Sequence, residues 1–316
     1  MKKNLFIKLA LNKTNFELLE DKKLHIFLCG TGTPVHGSIQ KESSIAIIAG
    51  GCFVVIDAGE SAIRTMEAMH LPINKLTDVF VTHWHSDHFS GIGQLINRTW
   101  LFGRKEEITV HGPEGCEKIV EGINTTFEKD VYFRSKHHGI DWLDPKFGIA
   151  MSKTISIDNQ EDLKLVFDKN GLKISSFLVD HYPIAPAFGY IIEYNGKKVV
   201  ISGDTKFVES MTGFAENADI LIHEAMNKKM LLIAINALTE MNKNREATLL
   251  KDTLEYHTDI TEVAKIAKDA NVKSLVLTHI IPFPKNFFLR KFFLSSICKI
   301  YSGKVIFAKD NKEFHL

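Results

Sequence analysis

Residues Val79 to Gly91 read Val-Phe-Val-Thr-His-Trp-His-Ser-Asp-His-Phe-Ser-Gly, and this stretch constrains the chain more than any other. The apolar, β-branched run Val79 to Val81 predicts a buried strand with Thr82 at its mouth. Three histidines and an aspartate follow within six residues, far more imidazole and carboxylate than packing needs. Side chains alternate along a strand with period two, so a strand end sets His83 and His85 on one side. Asp87 and His88 come as the chain turns and aim at a different point. The spacing predicts two metal ions a few ångströms apart, with His83 and His85 on one and Asp87 and His88 on the other. Imidazole and carboxylate suit zinc or another borderline first-row divalent ion. A histidine-rich polar loop is the plainer alternative.

The rest of the chain weighs against that alternative. Val199 to Ser202 delivers Gly203-Asp204-Thr205, Ile220 to Ile222 delivers His223-Glu224, and Leu275 to Thr278 delivers His279. Ends of neighbouring strands converge on one edge of a sheet, so repeated ionisable strand ends turn a local motif into a site. Leu24 to Leu28 predicts a first strand running into the turn Gly30-Thr31-Gly32-Thr33-Pro34. A phosphate-cradling loop is the sharper reading of that turn, but no helix with a lysine follows it, so a P-loop is not supported. Ser44 to Ala49 and Phe53 to Ile56 flank Gly50-Gly51 as a hairpin that ends in Asp57-Ala58-Gly59-Glu60. Helices are expected over Ser61 to Met69 and near Gly91 to Trp100. Val110 to Pro113 predicts a strand ending in a turn. Asn195-Gly196 joins two further strands, Phe188 to Tyr194 and Lys197 to Ile201.

Three stretches carry competing readings. Arg134 to Gly139, with His137 and His138, is expected as a basic exposed loop that at best faces substrate. Met230 to Ile235 lies in a helical stretch between Glu224 and His257 and is expected as a core helix, ahead of a lid or a dimer surface. Lys285 to Lys304 interleaves Phe287, Phe288, Phe292 and Phe293 with Arg290, Lys291 and Lys299. Phenylalanines buried against the core with cations snorkelling outward are the expectation there, ahead of a membrane-surface helix. Asp259 with Glu262 predicts a capped helix start, followed by Val263, Ile266, Ala267 and Ala270 at helical spacing.

At 316 residues, 45% apolar and 24% charged, the composition is that of a soluble globular chain. Lys plus Arg number 39 against 38 for Asp plus Glu, so net charge marks no extended nucleic-acid surface, although a local basic patch stays open. Cys29, Cys52, Cys116 and Cys298 are scattered and expected as buried free thiols. The apolar run after Met1 is broken by Lys8 and no cleavage-site pattern follows, and no stretch reaches the ~18 apolar residues a span needs. The expected location is cytoplasmic. Residues 1–22 are expected as an N-terminal accessory segment and 23–316 as one domain.

With His83, His85, Asp87 and His88 joined by His181, Asp204 and His279, the chain resembles the metallo-β-lactamase superfamily over most of residues 24–316. Within it the chain looks most like the ribonuclease Z branch. The Gly30 to Pro34 turn, Asp57-Ala58-Gly59-Glu60 and the segment from His181 to Phe188-Gly189-Tyr190 fit that branch. His223-Glu224-Ala225 and His257-Thr258 resemble two of its shorter motifs. The resemblance implies an α/β, four-layer αββα sandwich with a dinuclear metal site at its edge. His83, His85 and His181 would hold the first ion, Asp87, His88 and His279 the second, and Asp204 would bridge them. Glu224 and His257 would form a pair facing the scissile phosphate. Two divalent ions are implied, zinc first, with manganese or iron as alternatives. Homodimers are common in the family, so a homodimer is implied by resemblance alone.

The sequence departs from that pattern at one place. Members that process transfer RNA with a long gripping arm carry it between the third and fourth metal motifs. Here only Tyr182 to Gly203 lie between His181 and Asp204, so no such arm is present, which counts against transfer-RNA 3′-end processing and favours a smaller ester; the expected partner is a small ester substrate or a short RNA end. The expected activity is a dinuclear-metal-dependent phosphodiesterase using a metal-bridging hydroxide, with Asp87 orienting it and taking its proton. His257, held protonated by Glu224 and so carrying a raised pKa, would serve the leaving oxygen. An aryl sulfate, lactone or thioester hydrolase on the same metal site is the alternative. A metal-binding scaffold without turnover has no use for Asp87, Glu224 and His257, and a redox role would want a flavin domain that the sequence does not supply.

Overall fold

The computed structural model describes residues 14–35 and 39–316. Most of the expected N-terminal accessory segment, residues 1–13, lies outside the described residues. Its remainder holds a short 3-10 turn, Phe16–Leu19, whose Leu18 is buried against the first sheet.

Two seven-stranded sheets form the body, each built by the same plan. The first contains β1 (His25–Gly30), β2 (Ser44–Ala49), β3 (Cys52–Ile56), β4 (Leu76–Phe80), β5 (Ile108–Gly112), β6 (Ala150–Thr154) and the last strand, β14 (Lys312–His315), in the order β14-β1-β2-β3-β4-β5-β6. The second contains β7 (Lys164–Lys169), β8 (Leu172–His181), β9 (Ile184–Tyr194), β10 (Lys197–Ile201), β11 (Ile220–Met226), β12 (Ser274–Ile281) and β13 (Lys304–Phe307), in the order β13-β12-β11-β10-β9-β8-β7. In each sheet an antiparallel set of strands passes into a parallel set, at β3 in the first and at β10 in the second. The parallel strands read as continuous apolar runs because both of their faces are covered. Asn195 and Gly196, both at positive φ, form the tight turn between β9 and β10 that their dipeptide predicts.

Helices α1 (Ala62–Ala68), α2 (Ser86–Phe89), α3 (Ile92–Leu101) and α4 (Cys116–His138) follow strands of the first sheet. Helices α5 (Ser210–Phe214), α6 (Lys228–Glu240), α7 (Asn244–Asp252), α8 (Ile260–Asp269) and α9 (Phe287–Leu294) follow strands of the second. Ile26, Ile47, Val54 and Phe80 of one sheet meet Ile174, Tyr190, Val199 and Val276 of the other in a central core. The outer face of the first sheet buries against α1, α3 and α4 through Ile63, Met66, Leu95 and Val120. That of the second buries against α5, α8 and α9 through Met211, Val263, Ile266 and Phe293. The four layers are those the resemblance implies. The α8 start is the expected capping box, Asp259 and Glu262 each satisfying the other's end of the turn.

Four expectations fail, each for a physical reason. Arg134 to His138 are the last turn of the 23-residue helix α4, not a loop. That helix is polar enough to hide its periodicity, and its basic end sits where the helix dipole favours cations. The helix α6 is not in the core: only Leu231 is buried, and Ile233 is 63% exposed. It packs through that one face with α7, whose end reaches the metal centre. Of the phenylalanines on α9 only Phe293 is buried, because an eight-residue helix offers the core a single narrow stripe. Cys298 is exposed, while Cys29, Cys52 and Cys116 are buried thiols as expected. Among the described residues no helix is long and apolar enough to cross a membrane.

Candidate metal centre

The C-terminal ends of β4, β8, β10, β11 and β12 open onto one edge between the sheets, and each delivers an ionisable side chain there. After β4 the chain passes His83 and His85 and enters α2, which carries Asp87 and His88 in its first turn. Close backbone contact makes that turn fit: a Cβ on Gly91 would lie 2.1 Å from the Gly59 carbonyl oxygen. Asp204 follows Gly203, whose positive φ turns the chain beside Thr82. His279 is delivered differently from the expected strand end. The pairing of β11 with β12 skips from Glu224–Thr278 to Ala225–Ile280, so His279 is an extra residue at φ 44°. A bulge of this kind re-aims one side chain, here into the site.

All seven predicted ligands come together. His83 Nε2 lies 3.0 Å from His85 Nδ1, and His181 Nε2 lies 3.2 Å from the same atom. His279 Nε2 lies 3.2 Å from Asp204 Oδ2 and 3.3 Å from Asp87 Oδ2, and His88 Nε2 lies 3.4 and 3.5 Å from the same two oxygens. Candidate ligand atoms of His83, His88 and Asp204 also fall within 4.8 Å of one another, so Asp204 stands between the two sets. His137 and His138 join none of the metal-capable clusters among the described residues.

Hydrogen bonds behind the site fix which ring nitrogens face it. His88 donates Nδ1–H to Asp57 Oδ2 across 2.7 Å. Thr82 Oγ1 donates to the same carboxylate across 2.9 Å and lies 3.0 Å from His83 Nδ1, which donates to it in turn. The Thr82 backbone N–H holds the other Asp57 oxygen at 2.8 Å. His181 donates Nδ1–H to the Tyr256 carbonyl across 3.0 Å. The remaining Nε2 atoms of His83, His88 and His181 therefore face the centre. Asp57, Thr82 and Tyr256 carry no role in the sequence reading. The signal for Asp57 was present, since it too is a carboxylate closing an apolar strand.

Divalent ions fit this donor set. Three imidazole nitrogens that converge at such distances cannot satisfy one another, and the buried His88 Nε2 has no hydrogen-bond partner. Donors each about 2.0–2.2 Å from a tetrahedral ion lie roughly 3.3–3.5 Å apart, close to the spacings seen. Charge agrees. Burial pushes His83 well down and His181 down to about 4, leaving both neutral as ligation requires. Burial also works against charge on His88 and Asp204. Yet the Asp204, Asp57 and Asp87 carboxylates hold His88 well above the ordinary range, and His279 and His88 hold Asp204 well below its own. The aspartates thus demand positive charge where the second ion is expected.

Behind the ligands, Glu224 and His257 are paired as predicted, with Oε1 3.3 Å from Nδ1. The angles fall short of a hydrogen bond, and both His257 Nδ1 and Glu224 Oε2 are buried without a partner. Glu224 Oε1 accepts the Thr258 N–H at 2.7 Å. The expected raised pKa of His257 is not found. Burial pushes the imidazole down to about 3, and burial followed by the Asp204 charge pushes the Glu224 carboxyl well up. Inside the fold a neutral pair is cheaper than an ion pair. His85, Asp87, Asp204, His279 and His257 open into a cavity of about 210 Å³, walled by Thr33, Pro34, Ile281, Leu250, Thr253 and Tyr256. Leu250 belongs to α7 and Thr253 follows it directly, so α7 and the turn after it form one side of the cavity.

A family model described as beta-lactamase superfamily domain matches residues 53–280, more than half of the chain. The ribonuclease Z of Mycobacterium marinum is 28% identical over 262 residues, spanning 82% of this chain and 87% of the relative. Among solved structures, the short form of human tRNase Z has a TM-score of 0.64 at 23% identity, over 92% of this chain and 98% of that one. The metallo-beta-lactamase fold protein YhfI from Bacillus subtilis has a TM-score of 0.64 at 18% identity, over 93% of this chain and 100% of that one. The structural likenesses speak to the fold, and the matched family model to descent: the chain belongs to the beta-lactamase superfamily.

Proposed function

We propose that the chain is a dinuclear-metal-dependent phosphodiesterase acting on RNA ends. The observation that carries this is the convergence of His83, His85, Asp87, His88, His181, Asp204 and His279 at one site, with His257, backed by Glu224, opening into the cavity there. Relatives named ribonuclease Z support RNA as the substrate. His83, His85 and His181 would hold one divalent ion, Asp87, His88 and His279 the other, and Asp204 both. Zinc suits these ligands best. Such a pair supplies an activated water near neutral pH and neutralises charge on a phosphate.

The protein's own groups then handle protons and position. Asp87 takes the proton of the attacking water on a carboxylate oxygen. His257, neutral, presents Nε2–H to the leaving oxygen and receives the Glu224 carboxyl proton at Nδ1. One proton enters the ring as another leaves, so the imidazole stays neutral and the negative charge is left on the Glu224 carboxylate until it regains a proton. This relay replaces the permanently protonated histidine expected from sequence, and it uses His257 Nδ1, which the fold leaves unpartnered.

The test is a substrate panel on zinc- or manganese-reconstituted protein: an RNA with a 3′ extension, a bis(aryl) phosphate, an aryl sulfate and a lactone. Cleavage of the RNA and the phosphodiester, lost in Asp87→Ala, is the expected result. Turnover of aryl sulfate or lactone alone would contradict the proposal.

A further inference from the structure

We propose that the outer face of α9, bearing Phe287, Phe288 and Phe292, is a platform for single-stranded RNA beside the metal centre. Lys285 and Lys291 would hold the phosphates. The proposal rests on the RNA reading given above, and it supplies the grip that the short hairpin between His181 and Asp204 does not.

Charge points there first. Residues 270–309 contain seven lysines and arginines and no aspartate or glutamate, in a chain whose net charge is only +1. Neutrality overall therefore conceals one strongly basic segment, and α9 lies in its middle. Among the described residues neither Lys285 nor Lys291 has a carboxylate partner, so both ammonium groups are available to phosphates.

The helix is firmly seated by its opposite side. Phe293 is buried against Phe307, the Phe293 carbonyl accepts Asn227 Nδ2–H at 3.1 Å, and the Arg290 guanidinium lies 4.3 Å from the Phe307 ring centroid. Its outer side carries Phe287 at 72%, Phe288 at 81% and Phe292 at 45% exposure. Folding accounts for none of these three rings. Lys291 follows Phe287 and Phe288 by four and three residues, which places its cation on the aromatic face rather than opposite it. A helix that lies in a bilayer surface segregates cations from its apolar face. Aromatic rings with cations among them are instead what stacked bases and their backbone require.

Position completes the case. Ile281 forms part of the metal cavity, and Phe287 follows six residues later. Six residues reach at most about 22 Å, so the rings lie within that distance of the cavity wall.

The test uses the full-length, zinc-loaded chain and a short fluorescein-labelled oligouridylate, read by anisotropy. One variant is Phe287→Ser/Phe288→Ser/Phe292→Ser; the other is Lys285→Ala/Lys291→Ala. The aromatic variant is expected to bind the RNA on the order of tenfold or more weakly. The lysine variant is expected to flatten the salt dependence by about 1.4 in log–log slope. Both should hydrolyse a bis(aryl) phosphate at the wild-type rate, which shows an intact fold and metal centre. Unchanged RNA affinity in the aromatic variant overturns the platform. So does sedimentation with phosphatidylglycerol vesicles that the variant loses while RNA affinity stays, since the face would then serve a membrane. If the wild type fails to cleave RNA yet the aromatic variant loses RNA affinity, the RNA-cleaving reading falls and the platform stands. If RNA is cleaved with equal KM by both, the reverse holds.

Discussion

Asp57 accepts the His88 Nδ1–H across 2.7 Å and, through Thr82 Oγ1, also governs the ring of His83. One buried carboxylate therefore sets the tautomer of a candidate ligand in each of the two sets. An Asp57→Asn change keeps the shape but presents an amide where two donors expect an acceptor. Metal affinity is expected to fall about 10–100-fold at both positions. Competition with a chromophoric chelator measures this, and affinity equal to wild type would contradict it.

Asp87 is assigned both ligation and proton transfer, whereas the His83, His85 and His181 set does not include it. Asp87→Ala should lower kcat by about a thousandfold while leaving roughly one ion per chain. Metal analysis alongside turnover checks both halves. Loss of all metal would show that Asp87 acts as a structural keystone instead.

The Glu224–His257 relay makes a leaving-group prediction. His257→Ala should slow esters of poorly acidic alcohols by about 10²–10⁴-fold and esters of acidic phenols far less. Glu224→Gln, which cannot pass a proton to Nδ1, should show the same selective loss. A leaving-group series with equal losses throughout would rule out a proton delivered by this pair.

Much of this site could be read in the sequence because metal ligands at strand ends need particular residue types at fixed places. His83, His85, Asp87 and His88 are compressed into one strand end and the turn after it, and Asp204 closes an apolar run after a glycine. His279 was found as such an end, but the bulge that aims it depends on the pairing of β12 with β11, which no local pattern encodes. Asp57 was visible without a role, since hydrogen bonds behind a ligand are set by tertiary packing. The exposed rings of α9 are not legible in the sequence because apolar residues are expected inside, a rule that holds in one direction only. His257 is legible in the sequence but its protonation is not, because burial outweighs a neighbouring carboxylate once both are inside the fold.

Acid should destabilise the protein through His223. Burial pushes this imidazole from its ordinary 6.5 down to about 4. Between those values the unfolded chain carries the extra proton, so its contribution is complete above about pH 6.5 and is lost as pH falls towards 4. The loss is on the order of 3 kcal/mol in all, with about 2 kcal/mol gone by pH 5. Urea unfolding at pH 7 and pH 5, wild type against His223→Gln, reads it. Identical pH slopes would contradict the assignment.

The most direct measurement is the metal stoichiometry of zinc-reconstituted protein, taken by elemental analysis with His279→Ala and His181→Ala beside the wild type. Two ions per wild-type chain, and about one in each variant, are the predicted values. A single ion in the wild type, or two that survive both substitutions, would contradict a centre built from these seven side chains.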